Sequence, residues 1–195
     1  MRRMASIFVF IILTGCSMKM DAGASDSHDR LTTSEVEERV PIENLNEYMW
    51  FADAAIVGTV MEEGTTYEHN IGVNTKIPTT QPVTPAAIVV DEVISGDIDQ
   101  KVITLLQHGS SDDANDIKGH VKKGEKYVFI LYETSTPNNY WTLDGKEGLW
   151  KIVDDKVTSD ATMDVLQAFK STDVKTFKST LRRAIENKIK PKSIQ

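Results

Sequence analysis

The chain has 195 residues, a formal net charge of −7 and one cysteine. That length suits one domain with room for a core, and a lone cysteine excludes a disulfide framework. The charge is uneven: Lys170 to Gln195 carries +6, whereas residues 16–169 carry −15, and so acidic a body argues against nucleic acid as a partner.

The first residues read as an export signal. Arg2 and Arg3 precede an apolar run from Met4 to Leu13, broken only by Ser6. Such a run is too short to span a bilayer, which needs about 20 apolar residues. It ends in Leu13-Thr14-Gly15-Cys16, which looks like the lipobox of bacterial lipoproteins. The resemblance implies that residues 1–15 are removed and that Cys16 is lipidated. A lone thiol in an exported protein is odd, and lipidation accounts for it. The expected location is the membrane, anchored through Cys16, on the extracytoplasmic face. Ser17 follows, not aspartate, which in a two-membrane cell permits sorting to the outer membrane.

Residues 16–43 are polar and read as a flexible tether. Asn44 is placed to cap a short helix whose apolar positions are Leu45, Tyr48, Met49 and Ala52. Strands are expected at Ala54–Met61, Ala86–Ile94, Lys101–Gln107 and Lys126–Tyr132. Gly58 marks a bulge or tight bend in the first. The run Val128 to Leu131 in the fourth predicts burial on both faces. Residues 63–85 hold three prolines and read as a long loop, and residues 109–119 as an acidic one. Tyr140–Leu143 and Leu149–Val153 suggest a hairpin around Asp144-Gly145, followed by a short strand at Lys156–Thr158.

The end is helical. Met163, Leu166 and Phe169 predict one short helix. Val174, Phe177, Leu181, Ala184, Ile185 and Ile189 recur at the spacing of a longer one, with Thr172 as its expected N-cap and Pro191 closing it. The organisation is therefore a signal (1–15), a lipidated tether (16–43), a β domain (44–160) and a C-terminal helical segment (161–195).

Several short strands with glycine turns argue for a small barrel or sandwich. The segments Ala55-Ile56-Val57-Gly58-Thr59-Val60, Val89 to Asp97, Val102 to Leu106 and Lys123 to Phe129 resemble a group of exported bacterial proteins. Their domain is similar to the OB-like barrel of netrin modules and tissue metalloprotease inhibitors. The resemblance covers about Leu45 to Thr158. It implies a mainly β fold, an OB-like barrel of five to seven strands with a short helix before it and an amphipathic helix after it. Those inhibitors chelate zinc through a free N-terminal cysteine pinned by disulfides. A lipidated Cys16 on a tether cannot do so.

No catalytic residue is assigned. The chain has no Gly-x-Ser-x-Gly elbow and no His-Glu-x-x-His. The acidic loop resembles the start of a calcium loop, but counting from Asp113, positions 5, 6 and 12 are Ile117, Lys118 and Gly124, where an EF-hand needs Asp or Asn, Gly and Glu. A looser divalent site near His108 or His120 stays open beside the plainer reading of a solvated loop. No resident metal or cofactor is expected.

Three weaker binding features stand out. Trp141 and Trp150 offer stacking surfaces for a sugar, or ordinary packing. Asp91 or Glu92 offers a carboxylate at the barrel mouth, or a hydrated rim. Lys178, Arg182 and Arg183 give the last helix a basic face that meets anionic lipid or wall polymer, or simply water. The expected function is a non-enzymatic binding module whose partner is an unknown protein or cell-wall component. A metal-assisted hydrolase and an envelope-maintenance protein are the alternatives.

Overall fold

A computed structural model describes residues 41–70, 79–114 and 119–194. The expected signal, Cys16 and nearly all of the tether lie outside the described residues, as does the middle of the acidic loop. Arg39–Gln195 is one compact unit.

The domain is mainly β. Among the described residues eight strands form one sheet: β1 (Ala54–Glu63), β2 (Tyr67–Asn70), β3 (Thr80–Ser95), β4 (Val102–His108), β5 (Lys126–Glu133), β6 (Asn139–Thr142), β7 (Leu149–Val153) and β8 (Lys156–Thr158). Three helices accompany them: α1 (Leu45–Tyr48), α2 (Asp164–Gln167) and α3 (Val174–Glu186). β1 lies between β3 and β5, both antiparallel to it. β3 continues to β4, β4 pairs in parallel with β6, and β6 returns to β5. The sheet thus wraps into a partial ring.

Strand alternation divides the apolar residues into two sets. Ile56, Ile88, Ile103, Leu105, Phe129, Leu131 and Tyr140 form the core on the inner side of the sheet. Val57, Val128, Ile130 and Trp150 point the other way and meet Tyr48, Leu166, Phe177 and Leu181 from the helices. This is why Val128 to Leu131 is an unbroken apolar run: successive residues serve different cores. Each such side chain contributes about 1.5–3 kcal/mol on burial.

Gly58 sits where the β1–β3 register shifts. A Cβ there would lie 2.5 Å from Ile88 Cγ2 and 3.1 Å from Val89 O. The close crossing of β1 over β3 therefore needs a residue without a side chain.

The helix ends follow local chemistry. The Asn44 side chain accepts from Glu47 N, and the Glu47 carboxylate accepts from Glu43 N, so the two satisfy backbone donors reciprocally. The N-cap of α3 is Asp173, not Thr172: its carboxylate accepts from Thr176 N at 2.8 Å. α3 stops at Glu186, with Asn187 as C-cap, five residues before Pro191.

Two expectations are corrected. The segment expected as a loop over 63–85 contains β2 and the first third of β3, which pair antiparallel as an arm. Its prolines argued against a strand, yet Pro82 O and Pro85 O accept from Gly109 N and Gly64 N. The expected hairpin of Tyr140–Leu143 with Leu149–Val153 does not form. β6 pairs along β5 from Leu131 to Glu133, and β7 continues along β5 from Tyr127 to Phe129. The turn at Asp144–Gly148 is a detour between two steps along β5. Gly148 fits there because a Cβ would lie 2.7 Å from both Ile130 O and Leu143 O.

Candidate functional site

Residues directly paired across strands share a face. Tyr67 pairs with Val83 and His69 with Gln81. Val83 pairs with His108 and Pro85 with Leu106, and Leu106 in turn with Trp141. The arm, β3, β4 and β6 therefore gather Tyr67, His69, Gln81, His108 and Trp141 on one outward face. Val83 and Leu106 are buried beneath them without belonging to either core.

The rings touch in sequence. His108 stacks on Trp141 with centroids 4.3 Å apart and planes 15° apart. His69 meets the same indole edge-on at 6.2 Å, and Tyr67 meets His69 edge-on at 6.1 Å. Gln81 Nε2 lies 2.9 Å from His108 Nδ1, fixing the ring's orientation. Partial burial holds the His108 pKa below its usual 6.5, and the neighbouring His69 lowers it further. Trp141 is half-buried and Tyr67 exposed, and His108, exposed as a residue, has one ring face covered by Trp141. The result is an aromatic platform with an amide and two imidazoles along it.

A polar network secures the platform from below. His120 is buried between Glu63 Oε1 and His108 O, each at 2.9 Å. The Gln107 side chain accepts from Val121 N. Thr66 joins Thr84 and Ser111 through their hydroxyls, and the Thr84 hydroxyl donates to Gly109 O. These bonds tie residues 107–111 to β1, β3 and the arm, so the backbone under His108 is held rigidly. Both His120 nitrogens are used in this way, and among the described residues no cluster of three or more His, Cys, Asp or Glu is placed to hold a metal ion.

The residues expected to bind ligand are not brought together. Trp150 is wholly buried, its ring 4.7 Å from Phe177 and its Nε1 donating to Glu147 O. It is a core residue. Asp91 pairs with Lys126 at 3.0 Å and accepts from the Thr59 hydroxyl. Glu92 holds Lys178, with Arg182 3.8 Å away, and Arg182 Nε donates to Ile94 O. Lys178 and Arg182 thus dock α3 on β3, while Arg183, exposed like Arg182, takes no part in these bonds.

Of the expected set, Trp141 is the residue that lies on this platform, with neighbours that sequence reasoning did not join to it. Tyr67-x-His69 has the alternation of a strand, but the prolines that follow masked it. His108, one residue past the expected strand end, was read as a neighbour of the acidic loop and not of Trp141.

No protein-family model matches the chain, and the comparison with curated proteins found no match either.

Proposed function

We propose that this chain is a lipid-anchored binding module on the extracytoplasmic face of a bacterial membrane, with no enzymatic activity, that holds a ligand against Trp141. The observation that carries the reading is the outward platform of Trp141, His108, His69 and Tyr67. Half-exposed aromatic rings backed by a rigid polar network stack well on the apolar face of a sugar. A wall glycan is the ligand class that fits both the platform and the expected location.

The strand order supports an OB-like barrel. From β1 it runs through β3, β4, β6 and β5 back to β1, with β4 and β6 parallel. OB-like barrels bind ligands on their second and third strands and on the loop joining the first two. Those elements correspond to β3, β4 and the arm bearing β2. Tyr67, His69, Gln81 and His108 lie on them, and Trp141 on the strand beside β4.

The alternatives have less behind them. A metal-assisted hydrolase needs a ligand cluster, and His120 is engaged by Glu63 and a carbonyl. Contact with an anionic polymer through Lys178 and Arg182 would break the bonds that dock α3.

Tryptophan emission tests the reading. Solubilised wall glycan fragments are titrated into the unit Arg39–Gln195. The expected result is a saturable change that Trp141→Ala removes, with the emission of Trp150 and of Trp50 as the background. A flat titration, or one unchanged by Trp141→Ala, would sink it, and so would reproducible turnover of the fragments. Acylation is scored separately by metabolic fatty-acid labelling of the full chain against Cys16→Ser.

A further inference from the structure

The described chain begins at Pro41, and its first residues meet its last. Lys192 Nζ lies 3.0 Å from the Glu43 carboxylate, Ile189 N donates to Asn46 O, and Lys188 donates to Ala52 O. Segments 43–52 and 183–194 therefore make one end of the domain, the end at which the tether joins.

That end has an unusual surface. Trp50 and Phe51 are adjacent and 43% and 36% exposed, and Ile189 and Ile194 are 46% and 37% exposed. Among the described residues they account for four of the eight large apolar residues that are exposed. A groove of about 810 Å³ between α1 and α3 has Leu45, Phe169 and Ala184 among its lining residues, with Arg183 and Lys188 also at its walls. Arg183, Lys188, Lys190 and Lys192 fall within ten residues, against Glu43, Glu47 and Glu186 in the two segments. The surrounding body is acidic, so the cations are concentrated where the anchor enters.

We infer that this end docks on the surface of an anionic phospholipid bilayer, with Trp50 and Phe51 entering the headgroup layer and Arg183 meeting lipid phosphate. Exposed aromatics beside basic side chains are the composition of interfacial membrane contacts. The inference rests on the anchored reading: a tether of fewer than thirty residues keeps its attachment end near the bilayer. Docking would fix the domain's orientation, where a tether alone would let it tumble.

The test uses Arg39–Gln195, a compact unit without the anchor, with vesicles of phosphatidylcholine alone or with about a third phosphatidylglycerol. The unit sediments with the anionic vesicles and releases in high salt. Arg183→Glu lowers the partition about thirty-fold, since a basic residue near such a surface is worth about 1 kcal/mol and reversal counts twice. Trp50→Ala lowers it roughly tenfold. Lys156→Glu, on β8 and beside the opposite end of α3, leaves it unchanged. Both active variants change exposed side chains, and unchanged thermal unfolding verifies the fold. No retention on anionic vesicles, or retention undiminished by both variants, overturns the inference. So does a self-associated unit that ignores vesicles, which assigns the surface to a second copy. Fatty-acid labelling of Cys16 separates the failures: label without vesicle binding sinks the docking alone, and absence of label sinks the anchor.

Discussion

The outer side of the sheet has two flanks that differ in what lies over them. Over β5 and β7, α3 and α2 bring Phe177, Leu181 and Leu166 down onto Val128, Ile130 and Trp150. Beyond the end of β3 on which α3 docks, the flank made by β2, the start of β3, β4 and β6 has the rings of Tyr67, His69, His108 and Trp141 as its cover. Both flanks carry an indole, nine residues apart in the chain. On the covered flank the indole nitrogen has a fixed backbone partner and the ring meets no water. On the open flank the ring is half-exposed and stacked on a titratable group. Where the covering is another element of the chain, aromatic area becomes stability. Where the covering is a thin layer of side chains, the same area stays available to a ligand.

Stability measurements can break that distinction, and the two tryptophans give the largest effect. Trp150→Ala leaves a cavity between β7 and α3 and is expected to cost about 3–5 kcal/mol. Trp141→Ala removes a stacking contact and half-buried area, and is expected to cost about 1 kcal/mol. Urea unfolding gives both values. Equal losses would erase the contrast.

The covered flank also contains a buried carboxylate, and its titration gives the next effect. Glu147 is 2% exposed. Burial alone would raise its pKa, but hydrogen bonds from Thr162 N, Met163 N and the Thr162 hydroxyl outweigh that and hold it below 4.5. A carboxyl depressed in the folded state stabilises fully above its unfolded value of 4.5, and that stability is lost as pH falls through the folded value. Glu147→Ala is expected to cost about 1.5–3 kcal/mol at neutral pH and to flatten the acid limb of the stability curve. A variant whose acid limb matches the parent's would show that the carboxylate contributes nothing there. Gly58→Ala comes next, at about 1–3 kcal/mol, because its Cβ would meet Ile88 Cγ2 at 2.5 Å. A neutral substitution would mean that β1 and β3 can separate at little cost.

The two flanks were not equally legible in the sequence. The covered flank rests on periodicities that local chemistry enforces. Val128 to Leu131 had to be buried on both sides, and Phe177, Leu181 and Ala184 had to share a helix face, so β5 was read nearly at its observed limits and α3 at its start, though the helix ends at Glu186, short of Ile189. Asp173 displaced Thr172 as the cap because two capping residues stood side by side and spacing alone could not choose. The open flank depends on pairings between segments far apart. Trp141 meets His108 only because β6 lies parallel to β4, and β6 lies there only because β6 and β7 run end to end along β5 instead of folding on each other. That choice is made by Gly148 and the turn before it, in space that no local pattern records. Trp150 was placed with Trp141 for the same reason: in a hairpin the two would have been neighbours.

The smallest effect is also the one that most directly couples ligand site to packing. The His108 pKa lies below 6.5 chiefly because the ring is partly buried, with His69 adding to the shift. A histidine depressed in the folded state is neutral there while the unfolded chain still binds protons, so its contribution is fully present above pH 6.5 and declines as pH falls from 6.5 toward the folded value. An NMR titration of the imidazole is expected to give a midpoint under 6.5. Trp141 supplies the stacked surface on one side of that ring. Trp141→Ala should therefore readmit water and move the midpoint up toward 6.5, while Trp150→Phe on the covered flank should leave it where it was. A midpoint unmoved by Trp141→Ala would mean that the indole does not shield His108, and the platform would then be two separate rings without a shared surface for a ligand.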